Sequence, residues 1–294
     1  MQEQIFLNGS FVSKEDAKIS VMDRGFLFGD GVYELIPVYN GKPFLLDKHL
    51  SRLDNSLAMI EIEKSSNDLG IERIIPEIIN KNKYRNHFIY IQITRGIHAD
   101  RQHIYQSKIE PSVLVMGQFS KPYTFEEIKN GFRATIHEDY RWRRANIKST
   151  SLLGNVLLKN HAAKQGMYET ILIHNNKVTE GSASNVFVVN GGKIFTPRLG
   201  NELLSGVTRN LILELLKSNK LPVEESEVTK EEIDSADEIW CSSSTNPIAP
   251  ITEVDGKCIQ KGTAGEMTLA THKLVSDFIA VSYTHLTLPT KRIV

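Results

Sequence analysis

The chain has 294 residues, of which 40% are hydrophobic and 24% charged, with 35 Lys+Arg balanced by 35 Asp+Glu. That length can bury a substantial core in one large domain or two ordinary ones, and zero formal charge removes any global attraction to nucleic acid or an anionic membrane. Cys241 and Cys258 match no metal spacing and make no disulfide framework, the opening residues predict no secretory leader, and no apolar run approaches the roughly 20 residues that span a bilayer; the expected setting is a reduced cytoplasm.

In chain order, residues 5–12 read as two short strands about an Asn8-Gly9 turn. A Gly-rich loop is expected over 25–31, then an apolar run over 32–39 ended by Asn40-Gly41. Leu50, Leu53, Leu57 and Ile60 recur at helical spacing and predict an amphipathic helix over 47–60. Residues 86–94 and 112–119 are rich in β-branched and aromatic side chains and read as strands, and Lys121-Pro122 marks a junction between domains 1–120 and 121–280. Beyond it come strands at 132–137, 168–173, 186–189, 193–195 and 239–242, and helices at 152–164, 207–217 and 265–280, the first of these stopped by Gly166. Alternating strands and helices with short antiparallel pairs give an α/β (α+β) chain of two domains with mixed sheets. Residues 281–294 break the last helical pattern and resemble the in-frame translation of a transposase-end sequencing adapter, so they are read as a non-native tail without function.

Two residues 32 positions apart carry the chemistry: Lys148, in Asn146-Ile147-Lys148-Ser149, and Glu180, in Val178-Thr179-Glu180-Gly181-Ser182. An enzyme that uses pyridoxal phosphate needs a lysine amine to hold the aldehyde as a Schiff base and an acid to keep the pyridine nitrogen protonated. Either residue alone would more often be solvated surface. A small-residue turn, Ser205-Gly206, leads into the apolar helix that starts near Val207-Thr208, which would point backbone N–H groups and a helix dipole at an anion.

Together with the run Arg141-Trp142-Arg143-Arg144, these stretches resemble the fold-type IV pyridoxal phosphate enzymes, the class-IV aminotransferases, and among them the D-amino acid aminotransferases, over almost the whole chain. The resemblance implies two α/β domains with the cofactor at their interface, and pyridoxal 5'-phosphate as that cofactor. It assigns the Schiff base and the proton shuttle to Lys148 and the pyridine nitrogen to Glu180. Phosphate contacts fall to Arg52, Val207, Thr208, Ser243 and Ser244, the last standing where a threonine is more usual. Tyr33 lines the site, and Ala183 stands where a serine is common. Arg101-Gln102-His103 matches an Arg-x-His substrate carboxylate trap, one residue further from Thr94-Arg95-Gly96 than the usual pattern. An arginine fork beside an imidazole suits a carboxylate, and the side on which it is held selects the enantiomer. The trap is implied to reach a neighbouring subunit, hence a homodimer acting on D-amino acids such as D-alanine and on 2-oxo acids such as 2-oxoglutarate. Branched-chain aminotransferases and aminodeoxychorismate lyases are the rivals of the same fold. Tyr140-Arg141-Trp142-Arg143-Arg144 as a single-strand nucleic-acid platform, and His98, Asp100 and His103 as metal ligands, are the weaker readings.

Overall fold

The computed structural model describes residues 3–105, 108–119, 121–259 and 261–284. The first part of the chain forms β1 (Gln4–Leu7), β2 (Ser10–Ser13), β3 (Gly31–Tyr39), β4 (Lys42–Pro43), β5 (His87–Thr94) and β6 (Ser112–Gln118). They make an antiparallel sheet in the order β2-β1-β6-β5-β3-β4. The β1–β2 turn has φ of 46° at Asn8 and 91° at Gly9, the left-handed pair that an Asn-Gly hairpin supplies at low cost. Three helices accompany this sheet: α1 (Arg24–Phe28), α2 (Leu46–Met59) and α3 (Ile71–Asn82). Leu53 and Leu57 of α2 and Ile71, Ile75 and Ile78 of α3 pack on Ile36, Ile89, Ile91 and Ile93 of the sheet. Each such side chain contributes about 1.5–3 kcal/mol on burial.

The second part contains α4 (Phe125–Asn130), β7 (Phe132–Glu138), α5 (Leu153–Lys164), β8 (Glu169–His174), β9 (Lys177–Gly181), β10 (Asn185–Asn190) and β11 (Lys193–Pro197). It continues with α6 (Val207–Ser218), β12 (Val223–Ser226), α7 (Lys230–Asp234), β13 (Glu238–Ser242), β14 (Ala249–Val254), β15 (Lys257–Cys258) and α8 (Glu266–Thr284). Its nine-stranded sheet is mixed, in the order β12-β11-β10-β13-β14-β7-β8-β9 with β15 against β14. β11–β12, β14–β7 and β7–β8 are parallel. Phe187 and Trp240 stack with ring centroids 5.0 Å apart under α6 and α8.

Two expectations are corrected. The Gly-rich loop over 25–31 is a short helix followed by a turn: Asp23 caps α1 by accepting from the Gly25 N–H, and Gly29 ends it at φ 67°. The last helix does not stop at residue 280 but runs on to Thr284, because Val281-Ser282-Tyr283-Thr284 carries no Gly or Pro to break it; residues 285–294 of the expected tail lie outside the described residues. The two sheets are tied where it matters for the site. The segment carrying Lys148 lies along the start of β3, with Tyr33 N–H donating to Lys148 O (3.0 Å) and Thr150 N–H to Gly31 O (2.9 Å).

Candidate active site

A cavity of about 390 Å³ is lined by Tyr33, Arg52, Lys148, Glu180, Val207, Thr208, Ser243 and Ser244, which gathers eight of the ten residues singled out from sequence. Lys148 is held by its backbone between β3 and α2: its carbonyl accepts from Tyr33, and its N–H reaches Ser56 Oγ at 3.4 Å. Its neighbour Ile147 is buried in the first sheet's core, which fixes the segment. The Lys148 Nζ lies 4.2 Å from the centroid of the Tyr33 ring, and Tyr33 itself sits on β3 with its ring 5.9 Å from Tyr90.

Glu180 is the next-to-last residue of β9 and is 5% exposed. Its Oε1 accepts from Arg141 Nη1 at 2.7 Å, and its Oε2 accepts from the Leu204 N–H at 2.9 Å and from Asn185 Nδ2 at 3.4 Å. Burial pushes its carboxyl above the usual range, against the opposing pull of Arg141 and the Leu204 N–H. Arg141 is shared: Asp139 takes its Nε at 2.9 Å and its Nη2 at 2.8 Å, and Thr179 Oγ1 donates to the same aspartate at 2.7 Å.

Val207 and Thr208 open α6, whose N-cap, Gly206, provides no side-chain hydrogen bond to the helix's first N–H groups. A Cβ at Gly206 would fall 2.1 Å from Asn185 Oδ1, so any larger residue here must push the Asn185 amide aside. Arg52 projects from α2. Its Nε and Nη2 donate to Glu34 at 2.9 and 2.6 Å, and its Nη1 donates to Ser205 O at 3.1 Å. Glu34 is fully buried, with His49 Nδ1 3.1 Å away. Burial works to raise the Glu34 carboxyl, yet Arg52 and His49 hold it well below the usual carboxylate range; burial lowers His49. After β13, Ser243 Oγ accepts from the Asn246 N–H at 3.1 Å, while Ser242 Oγ, also on the cavity wall, is buried without a hydrogen-bond partner.

Arg101 and His103 do not line this cavity. They are exposed on the loop after β5 and rest on Phe28 of their own chain, the Arg101 guanidinium 5.0 Å from its ring centroid and the His103 ring 5.3 Å away. His98 Nδ1 lies 2.9 Å from Asp100 O within that loop, and among the described residues no group of three or more His, Cys, Asp or Glu could hold a metal. The basic run is likewise engaged with protein: Arg141 with Glu180, and Arg143 with Glu202 at 2.8 Å. No described helix is long and apolar enough to cross a membrane.

Asp139, Asn185, Glu34 and His49 were given no role from the sequence, whereas Ser242 opens the hydroxyl run Ser242-Ser243-Ser244-Thr245 read as a phosphate contact. Asp139 meets Glu180 only through Arg141, Glu34 pairs with Arg52 18 residues on, and Asn185 joins Glu180 to the Leu204 carbonyl, contacts that no local motif announces.

The family model for amino-transferase class IV matches residues 31–254, and the chain belongs to that family. It is 38% identical over 271 residues to a D-alanine aminotransferase of Bacillus licheniformis, covering 90% of this chain and 93% of that protein. A D-alanine aminotransferase of Staphylococcus epidermidis is 38% identical over 267 residues, covering 90% and 94%. Among solved structures, the Escherichia coli branched-chain amino acid aminotransferase superposes with a TM-score of 0.84 at 25% identity, covering 96% of this chain and 95% of that one. The branched-chain aminotransferase of the archaeon Thermoproteus uzoniensis, solved with norvaline, gives a TM-score of 0.83 at 25% identity, covering 97% of each chain.

Proposed function

We propose that this chain is a pyridoxal 5'-phosphate-dependent D-amino acid aminotransferase that moves the amino group of D-alanine and other D-amino acids to 2-oxoglutarate or another 2-oxo acid. The observation that carries it is one cavity shared by an amine (Lys148), a buried carboxylate (Glu180) and a helix N-terminus without a side-chain cap, with the Arg52 guanidinium beside it. These groups, and the orphaned Ser242 hydroxyl, fit the cofactor's aldehyde, ring nitrogen and phosphate in chemical type. The D-specific part is supported by the 35–38% identical D-alanine aminotransferases and by Arg101-Gln102-His103.

When bound, pyridoxal phosphate supplies an aldehyde that captures the substrate amine and a ring that withdraws electrons from Cα. Lys148 would hold the cofactor, and its Nζ is the amine that would remove the substrate's Cα hydrogen. Glu180 offers the ring nitrogen a carboxylate oxygen, and Arg141 and the Leu204 N–H fix that carboxylate's orientation. Val207, Thr208, Ser243, Ser244 and Arg52 would hold the phosphate, and the Tyr33 ring packs against the Lys148 amine. The substrate carboxylate is held by Arg101 and His103 of a second copy, which makes the homodimer the working unit. Apolar side chains left exposed on α5 (Leu153, Val156 and Leu157) and on the trap side (Phe26, Ile97 and Ile104) suit such an interface. The reaction belongs in the cytoplasm.

Incubation with D-alanine and 2-oxoglutarate, followed by chiral separation of the products, tests the proposal. Pyruvate and D-glutamate in equal amounts are expected; L-glutamate, or no transfer from any D-amino acid, would overturn it.

A further inference from the structure

Arg24 is a charged residue only 4% exposed, and each of its three guanidinium nitrogens donates to protein. Nη1 donates to the carbonyl of Gln102 at 2.7 Å, Nη2 to that of His103 at 3.0 Å, and Nε to Asp30 Oδ2 at 2.8 Å. The same Asp30 oxygen accepts from Arg95 Nε at 2.9 Å, and Arg95 donates to the carbonyls of Ile60 and Glu61 at 2.5 and 3.2 Å, so Asp30 is anchored to the end of α2. Phe28 lies under both arginines: the Arg24 guanidinium is 4.9 Å and that of Arg101 5.0 Å from its centroid, with the His103 ring against it. A buried fork on two successive carbonyls fixes the backbone on which Arg101 and His103 stand, where the loop's own side chains are exposed.

We propose that Arg24, oriented by Asp30, is a positioning residue for substrate recognition in trans: it sets the loop that presents Arg101 and His103 to the active site of a second copy of this chain. This rests on the trap and dimer given under Proposed function. Asp30 is one residue before β3, and Gly31 O and Gly29 O accept from Thr150 N–H (2.9 Å) and Thr150 Oγ1 (2.9 Å) beside Lys148. Residues 29–33 of each subunit therefore brace its own lysine segment and, through Asp30, orient the arginine that sets the trap it lends.

The test uses the cofactor-loaded dimer. Arg24→Gln removes the fork, and Arg24→Lys keeps a cation opposite Asp30 but cannot reach both carbonyls; either should raise KM for D-alanine about 10- to 50-fold while kcat falls less than about threefold. The visible cofactor band and the dimer mass should stay as in the parent. Heterodimers then locate the effect. Pairing an Arg24→Gln subunit with a Lys148→Ala subunit leaves one complete site, served by an intact loop, and should restore the parent KM at half the activity. Pairing the double variant with a parent subunit leaves one lysine served by the altered loop and should keep the raised KM. A raised KM in the first heterodimer, or parent KM in both Arg24 variants while Arg101→Ala raises it, would overturn the proposal. If Arg101→Ala itself is not complemented by Lys148→Ala, the trap does not act in trans, and the reading beneath the proposal falls with it.

Discussion

Replacing Glu34 by glutamine should destabilise the protein far more than the loss of one surface charge. Glu34 is fully buried, accepts two N–H groups from Arg52 at 2.9 and 2.6 Å and a third from Leu35 at 2.8 Å, and has His49 at 3.1 Å. The amide retains one acceptor oxygen and turns an NH₂ toward the guanidinium, so Arg52, itself 13% exposed, keeps a charge with no counterion. Removing one partner of a buried pair costs about 3–5 kcal/mol. At about 2.1 cal/mol/K per residue, a chain this long unfolds with an entropy near ~0.6 kcal/mol/K, so the melting temperature should fall by roughly 5–8 °C. Asp277→Asn, which breaks the exposed Lys273–Asp277 pair, is the control and should shift it by less than about 1 °C. The pH dependence has a definite sign. Because folding depresses the Glu34 carboxyl, its contribution is fully present above the unfolded value near ~4.3 and is lost as pH falls below it. The gap between parent and variant should therefore hold from about pH 5 to 8 and narrow in acid. Melting followed by circular dichroism decides the matter: a variant within about 2 °C of the parent at pH 7 would refute the view that this cluster is a stabilising ion pair.

Gly206→Ala should drive Asn185 off the Leu204 carbonyl and Glu180, because the new Cβ would lie 2.1 Å from its Oδ1; dialysis against limiting pyridoxal phosphate should show affinity down about tenfold or more, and unchanged affinity would contradict the packing argument. Arg101→Ala should lower kcat/KM for D-alanine about 30- to 150-fold, the cost of losing charge-assisted bonds to a carboxylate, with steady-state rates as the check. Deleting residues 285–294, read as non-native, should leave the melting temperature within about 1 °C and the rate unchanged; a clear fall in either would show that the segment belongs to the native protein.

Local patterns made much of this fold legible. Asn8-Gly9 specified a hairpin because its backbone angles favour that pair, and the leucines of α2 and the apolar start of α6 fell where periodicity placed them. α3 was missed although Ile71, Ile74, Ile75, Ile78 and Ile79 repeat at helical spacing; Pro76 argues against a helix but sits on its exposed side, away from the buried isoleucines. Glu180 was legible as a motif but not as part of β9, a strand of five residues fixed mainly by pairing with β8. Lys148, Glu180 and the turn before α6 stood out because each lies in a distinctive run. Asp139 and Arg141 reach Glu180 only through the β7–β8–β9 pairing, and Arg24 reaches Gln102 and His103 across 78 and 79 residues, so neither arrangement follows from sequence spacing.

The central claim is tested most directly by a half-reaction. The purified protein, loaded with pyridoxal phosphate, is mixed separately with D-alanine and L-leucine in the absence of any 2-oxo acid, and its visible absorption is followed. Bleaching with D-alanine alone is the expected result, and Lys148→Ala should abolish it. Bleaching with L-leucine alone would move the assignment to branched-chain transamination, and no change with either amino acid would contradict aminotransfer from D-amino acids altogether.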